Sequence, residues 1–218
     1  MPKIAFITDI HDAPNVFGWL QRAAKTNDIV LIGGDISSRV GDSATFIEKV
    51  VSLAIKAGNI AMVLGNHDWP LHMEERGILH GTTTKIAGMT IGGVGGSIPA
   101  GGWPFELDES EFELMLNKMG PVDILLCHEP PYSTACDILA RGSFHEDHIG
   151  SKSVRTYIET TQPRLACFGH IHESFAIDKL GKTVLVNAGA FYEGRSATID
   201  IGANGGIVAS LKLRRRMT

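Results

Sequence analysis

Five short apolar runs in this chain each break off at a polar cluster. Ile4-Ala5-Phe6-Ile7 leads into Thr8 and then Asp9-x-His11, and Asp28 to Ile32 leads into Gly33-Gly34-Asp35. Ile60 to Leu64 leads into Gly65-Asn66-His67-Asp68, Val122 to Cys127 into His128, and Leu165 to Phe168 into Gly169-His170-Ile171-His172. Runs of this length without alternation read as strands buried on both faces. The first three are separated by amphipathic stretches, Asn15 to Lys25 and Ala44 to Ala57, which read as helices. Val16, Phe17, Leu20 and Ala24 lie on one face of the first, and Ser43 is a candidate cap for the second. Strand-helix-strand-helix-strand implies a parallel sheet with right-handed crossovers.

After Leu64 the pattern changes. Thr84 to Val94 reads as a hairpin around Gly88, Gly92 to Gly102 as a glycine-rich loop, and Asp108 to Met119 as a helix stopped by Pro121. Tyr132 to Ile149 reads as a long loop and Ser151 to Thr161 as a helix. The remainder is β, from Ser174 to Ile177, Thr183 to Val186, Ala197 to Ile201 and Ile207 to Leu213. Early βαβ units followed by late antiparallel strands predict an α/β fold of two packed mixed sheets, a β-sandwich flanked by helices. At 218 residues the expectation is one domain spanning 1–218.

In a sheet with parallel strands the carboxyl ends converge on one edge, where α/β folds place ligands. Aspartate, asparagine and histidine at those ends form a mixed oxygen and nitrogen donor set, suited to Mn, Fe, Zn, Ni or Mg and not to a thiolate site. Asp9 and His11, like His170 and His172, are two residues apart. In extended backbone both members of such a pair would point the same way and could grip one ion or two neighbouring ions. His72 and His80 follow no strand and read as ordinary polar residues, whereas His145 and His148 read as solvated loop residues.

The formal net charge of −4 argues against a nucleic-acid binder, and Arg214-Arg215-Arg216 reads as a solvated tail. Three cysteines make no disulfide framework, and Cys127 and Cys167 sit inside apolar runs. The chain opens directly on a strand pattern, and no apolar run approaches the ~18 residues of a membrane span. The expectation is a cytoplasmic protein with no membrane contact.

The order Asp-x-His, Gly-Asp, Gly-Asn-His-Asp, His, Gly-His-x-His resembles that of the calcineurin-like metallophosphoesterases. The stretch from Gly150-Ser151 through Gln162-Pro163 to Phe168-Gly169-His170-Ile171-His172-Glu173 is similar to their small metallophosphoesterase-domain subgroup, some of which hydrolyse cyclic nucleotides. The resemblance implies a dinuclear centre of two divalent ions, with Mn as the first expectation. Asp9, His11 and His172 would hold one ion, Asn66, His128 and His170 the other, and Asp35 would bridge them. It implies hydrolysis of a small phosphomonoester or phosphodiester by direct attack of a metal-bridging hydroxide.

His67 would donate to the leaving-group oxygen or to an equatorial phosphoryl oxygen and Asp68 would orient its ring, with Asn66 also near the phosphate. Ser37 and Ser38 stand where many members have an acid, but Arg39 keeps the place of a phosphate-contacting arginine. Two other readings stand beside this one, a non-catalytic metal-binding scaffold of the same fold and a nuclease. A homodimer is a further partner to test, and the loops Gly92 to Phe105 and Tyr132 to Ile149 are expected to set the substrate.

Overall fold

The computed structural model describes residues 2–38, 43–70, 77–141, 145–202 and 205–214. The first units run β1 (Lys3–Ile7), α1 (Val16–Thr26), β2 (Ile29–Ile32), α2 (Ser43–Ala57) and β3 (Ile60–Met62). β1, β2 and β3 pair in parallel, as the βαβ pattern predicts. β3 is shorter than its apolar run, although Val63 N still donates to Ile32 O at 3.1 Å. α2 begins at Ser43 itself, so the residue that would cap it lies outside the described residues.

The chain continues with β4 (Thr82–Ile86), β5 (Met89–Val94), α3 (Glu109–Met119), β6 (Ile124–Cys127), β7 (Ile138–Arg141), β8 (His145–His148), α4 (Lys152–Thr161) and β9 (Leu165–Phe168). It ends with β10 (Ala176–Leu180), β11 (Thr183–Asn187), β12 (Arg195–Ile201) and β13 (Ile207–Leu213). The β4–β5 hairpin turns on Ala87 and Gly88, both left-handed at φ 51° and 78°, as a two-residue hairpin loop requires. β7 and β8 pair as a separate antiparallel ribbon inside the stretch expected to be a loop.

Two mixed sheets result, with strand orders β13-β12-β1-β2-β3 and β10-β11-β9-β6-β5-β4. The buried strands serve both of their faces. Ile4 and Phe6 of β1, Ile29 and Leu31 of β2, Ile124 and Leu126 of β6, and Leu165 and Cys167 of β9 belong to the layer between the sheets. The alternate residues Ala5, Ile7, Val30, Ile32, Leu125, Cys127, Ala166 and Phe168 join the helix-facing core with Val16, Leu20, Ile47, Val50, Phe112, Leu116, Val154 and Ile158. Period-two alternation between two apolar layers is why these runs show no polar positions. The expected sandwich with outer helices is the observed fold.

α3 starts with a capping box, since Asp108 accepts from Glu111 N while Glu111 Oε2 accepts from Asp108 N. Its next residue serves the neighbouring helix. Glu109 accepts from Ser151 Oγ at 2.7 Å, Lys152 N at 2.8 Å and Ser153 N at 2.9 Å, so a carboxylate on α3 satisfies first-turn donors of α4. Glu109→Ala is therefore expected to lower stability by about 1–2 kcal/mol. Urea unfolding should show a lower midpoint at unchanged slope. An unmoved midpoint would mean that water replaces these contacts at no cost.

Candidate metal centre

The five polar clusters meet at the carboxyl ends of β1, β2, β3, β6 and β9. Asp9 N donates to Gly34 O at 3.0 Å, Ile10 N and His11 N to Asp35 O at 2.8 and 3.0 Å, and Gly169 N to His128 O at 3.0 Å. These bonds join the loop after β1 to that after β2, and the loop after β6 to that after β9. His170 N reaches across to Asp9 Oδ1 at 3.2 Å. Close approach also depends on glycine, because a Cβ on Gly65 would lie 2.1 Å from Asp35 Oδ1.

The extended-backbone argument for the paired residues does not hold. Asp9, His11, Asp35 and His170 have φ of 52°, 46°, 48° and 65°, all left-handed. Tight reversal, and not strand alternation, aims these side chains. Such non-glycine residues cost of order 1–3 kcal/mol each and gather where function over-determines the backbone.

The donor atoms fall into two groups around Asp35. Its Oδ2 lies 3.7 Å from His11 Nε2, and its Oδ1 lies 3.5 Å from His128 Nε2. On the first side, His172 Nε2 stands 3.2 Å from Asp9 Oδ1 and 3.4 Å from His11 Nε2. On the second side, His128 Nε2 stands 3.0 Å from Asn66 Oδ1. Asp9, His11 and His172 form a group able to hold a metal, and Asp9, Asp35 and His128 form another. His170 lies beside the second side, its ring 5.3 Å from that of His128.

His128 Nδ1 is 2.7 Å from Gly33 O, an acceptor only, so Nδ1 carries a proton. In the neutral ring Nε2 then offers a lone pair toward Asp35 Oδ1 and Asn66 Oδ1. Three lone pairs converging in this way fit a bound cation. Protonated on both nitrogens, the same ring instead pairs with Asp35 as a cation. Burial works to raise the pKa of Asp35, but the neighbouring His128 charge and hydrogen bond hold it well below the usual carboxylate range. Burial works to lower that of His128, and Asp35 carries it up to about 10. Burial and the charge on His128 press His170 down to about 4.

A second sequence expectation changes. Asp68 does not orient the His67 ring. Its carboxylate accepts from Ser37 N at 2.8 Å, Ser37 Oγ at 3.1 Å, Ile36 N at 3.1 Å and Gly65 N at 2.8 Å. It therefore ties the loop after β2 to the turn after β3, and its adjacency to His67 in sequence brings no hydrogen bond to the ring nitrogen Nδ1. Burial and the nearby Asp35 push its pKa up to about 7, against the pull of those N–H donors. The His67 ring instead stacks on Trp103, with centroids 3.9 Å apart and planes at 26°. His67 Nδ1 is buried and has no hydrogen-bond partner among the described residues. Its Nε2 stands 3.9 Å from Asp35 Oδ2, on the His11 side.

Arg39 and His72 lie outside the described residues. His148, read as a solvated loop residue, is exposed but lies in β8 and holds Asp137 Oδ1 through Nδ1 at 2.7 Å. The three cysteines are free and buried, and burial pushes their thiols up. Sequence reasoning missed Glu129, whose Oε2 accepts from Ile98 N at 3.0 Å and lies 3.8 Å from His170 Nε2. Its Oε1 is buried without a hydrogen-bond partner among the described residues, and burial pushes its pKa up to about 8. The missed signal was its place directly after His128 at the end of a buried strand. Tyr192 was missed as well, its ring edge-on to both His11 and His172.

A model of the calcineurin-like phosphoesterase family matches residues 2–174. The chain belongs to the calcineurin-like phosphoesterase family. An uncharacterised protein of Methanocaldococcus jannaschii is 32% identical over 199 residues, covering 85% of this chain and 87% of that protein. A Thermus thermophilus protein shares the fold with a TM-score of 0.71 at 18% identity, over 96% of this chain and 98% of that one. A structure described as a dimetal phosphatase from Danio rerio has a TM-score of 0.57 at 11% identity, over 90% and 91%. At such identities the likeness to those two structures is one of fold alone. This calcineurin-like phosphoesterase has no helix among its described residues long and apolar enough to cross a membrane.

Proposed function

We propose that this chain is a hydrolase of small phosphoesters that works with two divalent ions, Mn²⁺ first among them. The observation that carries the proposal is Asp35, whose two carboxylate oxygens face separate donor groups, His11 on one side and His128 on the other. A buried carboxylate placed so can bridge two sites. Asp9, His11 and His172 would complete one site, and Asn66, His128 and His170 the other. Two such ions supply an activated water near neutral pH and offset charge on the phosphoryl oxygens.

The chain's own residues do the rest. His128 is held by Gly33 O, so its ring needs no reorganisation when an ion arrives. His67, set against Trp103 at the edge of the group, is the proton donor proposed for the leaving-group oxygen. Arg39 is proposed as a phosphate contact on its place in the sequence alone. No covalent phosphoenzyme is called for, and the buried cysteines take no part. The acidic balance supports a small substrate over a nucleic acid, and the composition supports a cytoplasmic setting.

The test is hydrolysis of p-nitrophenyl phosphate and bis-p-nitrophenyl phosphate by protein stripped with chelator and reloaded with Mn²⁺. Activity on at least one ester is expected, lost on stripping and restored on reloading. Two bound ions without hydrolysis of either ester would favour the non-catalytic scaffold.

A further inference from the structure

The loop that follows β11 presses against the centre although it lies beyond residues 2–174, the span that the family model matches. Asn187 ends β11, and its Nδ2 donates to Gly169 O, Ile171 O and Cys136 O, each at 3.1 Å. Phe191 N donates to Thr8 O at 2.9 Å, which brings the 3-10 turn Phe191–Glu193 alongside the end of β1. Tyr192 Oη then lies 3.3 Å from His172 Nδ1. Its ring meets those of His11 and His172 edge-on, at centroid distances of 5.3 and 5.6 Å. Arg195 Nη1 donates to the carbonyl oxygen of His172, and Arg195 Nη2 pairs with Glu193 Oε2 at 3.1 Å.

We propose that Tyr192 is a positioning residue for His172, fixing by its phenol oxygen which ring nitrogen of His172 faces the metal centre. The proposal rests on the reading of Asp9, His11 and His172 as one metal site. Only a neutral imidazole with its proton on Nδ1 offers the Nε2 lone pair toward Asp9 and His11, and that N–H requires an acceptor. Tyr192 Oη occupies the accepting position. For His128 the same task falls to the Gly33 backbone carbonyl, which no side-chain substitution removes. For His172 it falls to a side chain, so the effect can be isolated. Arg195 fixes the other end of the residue by holding its carbonyl, leaving ring rotation as the freedom that Tyr192 restrains.

The experiment is calorimetric titration of metal-free protein with Mn²⁺, wild type against Tyr192→Phe. Phenylalanine keeps the ring contacts with His11 and His172 and loses the acceptor. One of the two ions should bind about tenfold more weakly, the low end of the ~10–100-fold loss typical when such a support is removed. The other should keep its affinity, and the melting temperature of the metal-free protein should not move. A merely structural tyrosine would lower that temperature or weaken both ions together, and either result would overturn the proposal. So would two unchanged affinities in the variant, with the metal-centre reading left intact. A wild-type protein that binds no Mn²⁺ would instead overturn that reading and this proposal together.

Discussion

Replacement of Asp35 by alanine is expected to remove both ions and to lower turnover by roughly 10³-fold or more, since several kcal/mol of stabilisation are lost at ~1.4 kcal/mol per tenfold. The size follows from position. In the proposed ligand set every other side chain serves one ion, although Asp9 also stands with Asp35 and His128; the two oxygens of Asp35 face His11 at 3.7 Å and His128 at 3.5 Å. Asp35 Oδ1 also accepts from His67 N at 2.9 Å, so alanine would loosen the turn as well. Asp35→Asn separates the two effects, because an amide oxygen can still accept from His67 N but brings no charge. If charge bridging is the main role, both variants should lack metal by elemental analysis and both should be inactive. If Asn restores two ions and near-native turnover, Asp35 holds the backbone and bridges nothing.

The sequence revealed the strands whose two faces are both buried, because such strands leave an unbroken apolar run. β1, β2, β6 and β9 are of this kind, and all of their residues are buried except Lys3. The starts of α3 and α4 were legible to within one residue, at Asp108 and Ser151, which the structure shows to be their caps, whereas Ser43, read as a cap, is the first residue of α2. The ribbon of β7 and β8 was not legible, since Ile138-Leu139-Ala140-Arg141 and His145-Glu146-Asp147-His148 carry no alternation toward a core. Nor did the run of late strands tell which sheet each would join. β12 crosses back to pair with β1 at the opposite end of the chain, while β11 pairs with β9.

At the centre, residue identity was easier to read than orientation. Asp9, His11, Asp35, Asn66, His128, His170 and His172 do gather, because each follows a strand that ends on the same edge. How each side chain is aimed depended on left-handed backbone at Asp9, His11, Asp35 and His170, which spacing cannot express. Asp68 shows the same limit. Its neighbour in sequence is His67, but its hydrogen bonds run to Gly65, Ile36 and Ser37. Trp103 and Tyr192 come to the histidines from distant loops, through contacts with no local pattern to announce them.

His67→Ala and His67→Asn are expected to lose ~10²–10⁴-fold in rate on an alkyl phosphoester, the usual cost of removing a general acid, while both ions remain. The geometry makes this a sharp test, because His67 with His11 and Asp35 also forms a group able to hold a metal. Asn66 and His67 leave the same turn in different directions, Asn66 Oδ1 toward His128 and His67 Nε2 toward the His11 side of Asp35. They face different sides of Asp35. The Nδ1 of His67 is buried and finds no partner among the described residues, and the Trp103 stack holds the ring, an arrangement unlike that of His128 with its backbone support. If His67 donates a proton to the leaving group, the loss should shrink on a p-nitrophenyl ester, whose leaving group needs no proton. Equal losses on both esters would assign His67 to charge stabilisation of the phosphoryl oxygens. Loss of an ion from either variant, by elemental analysis, would make His67 a ligand and leave the proton donor to be found elsewhere around the centre.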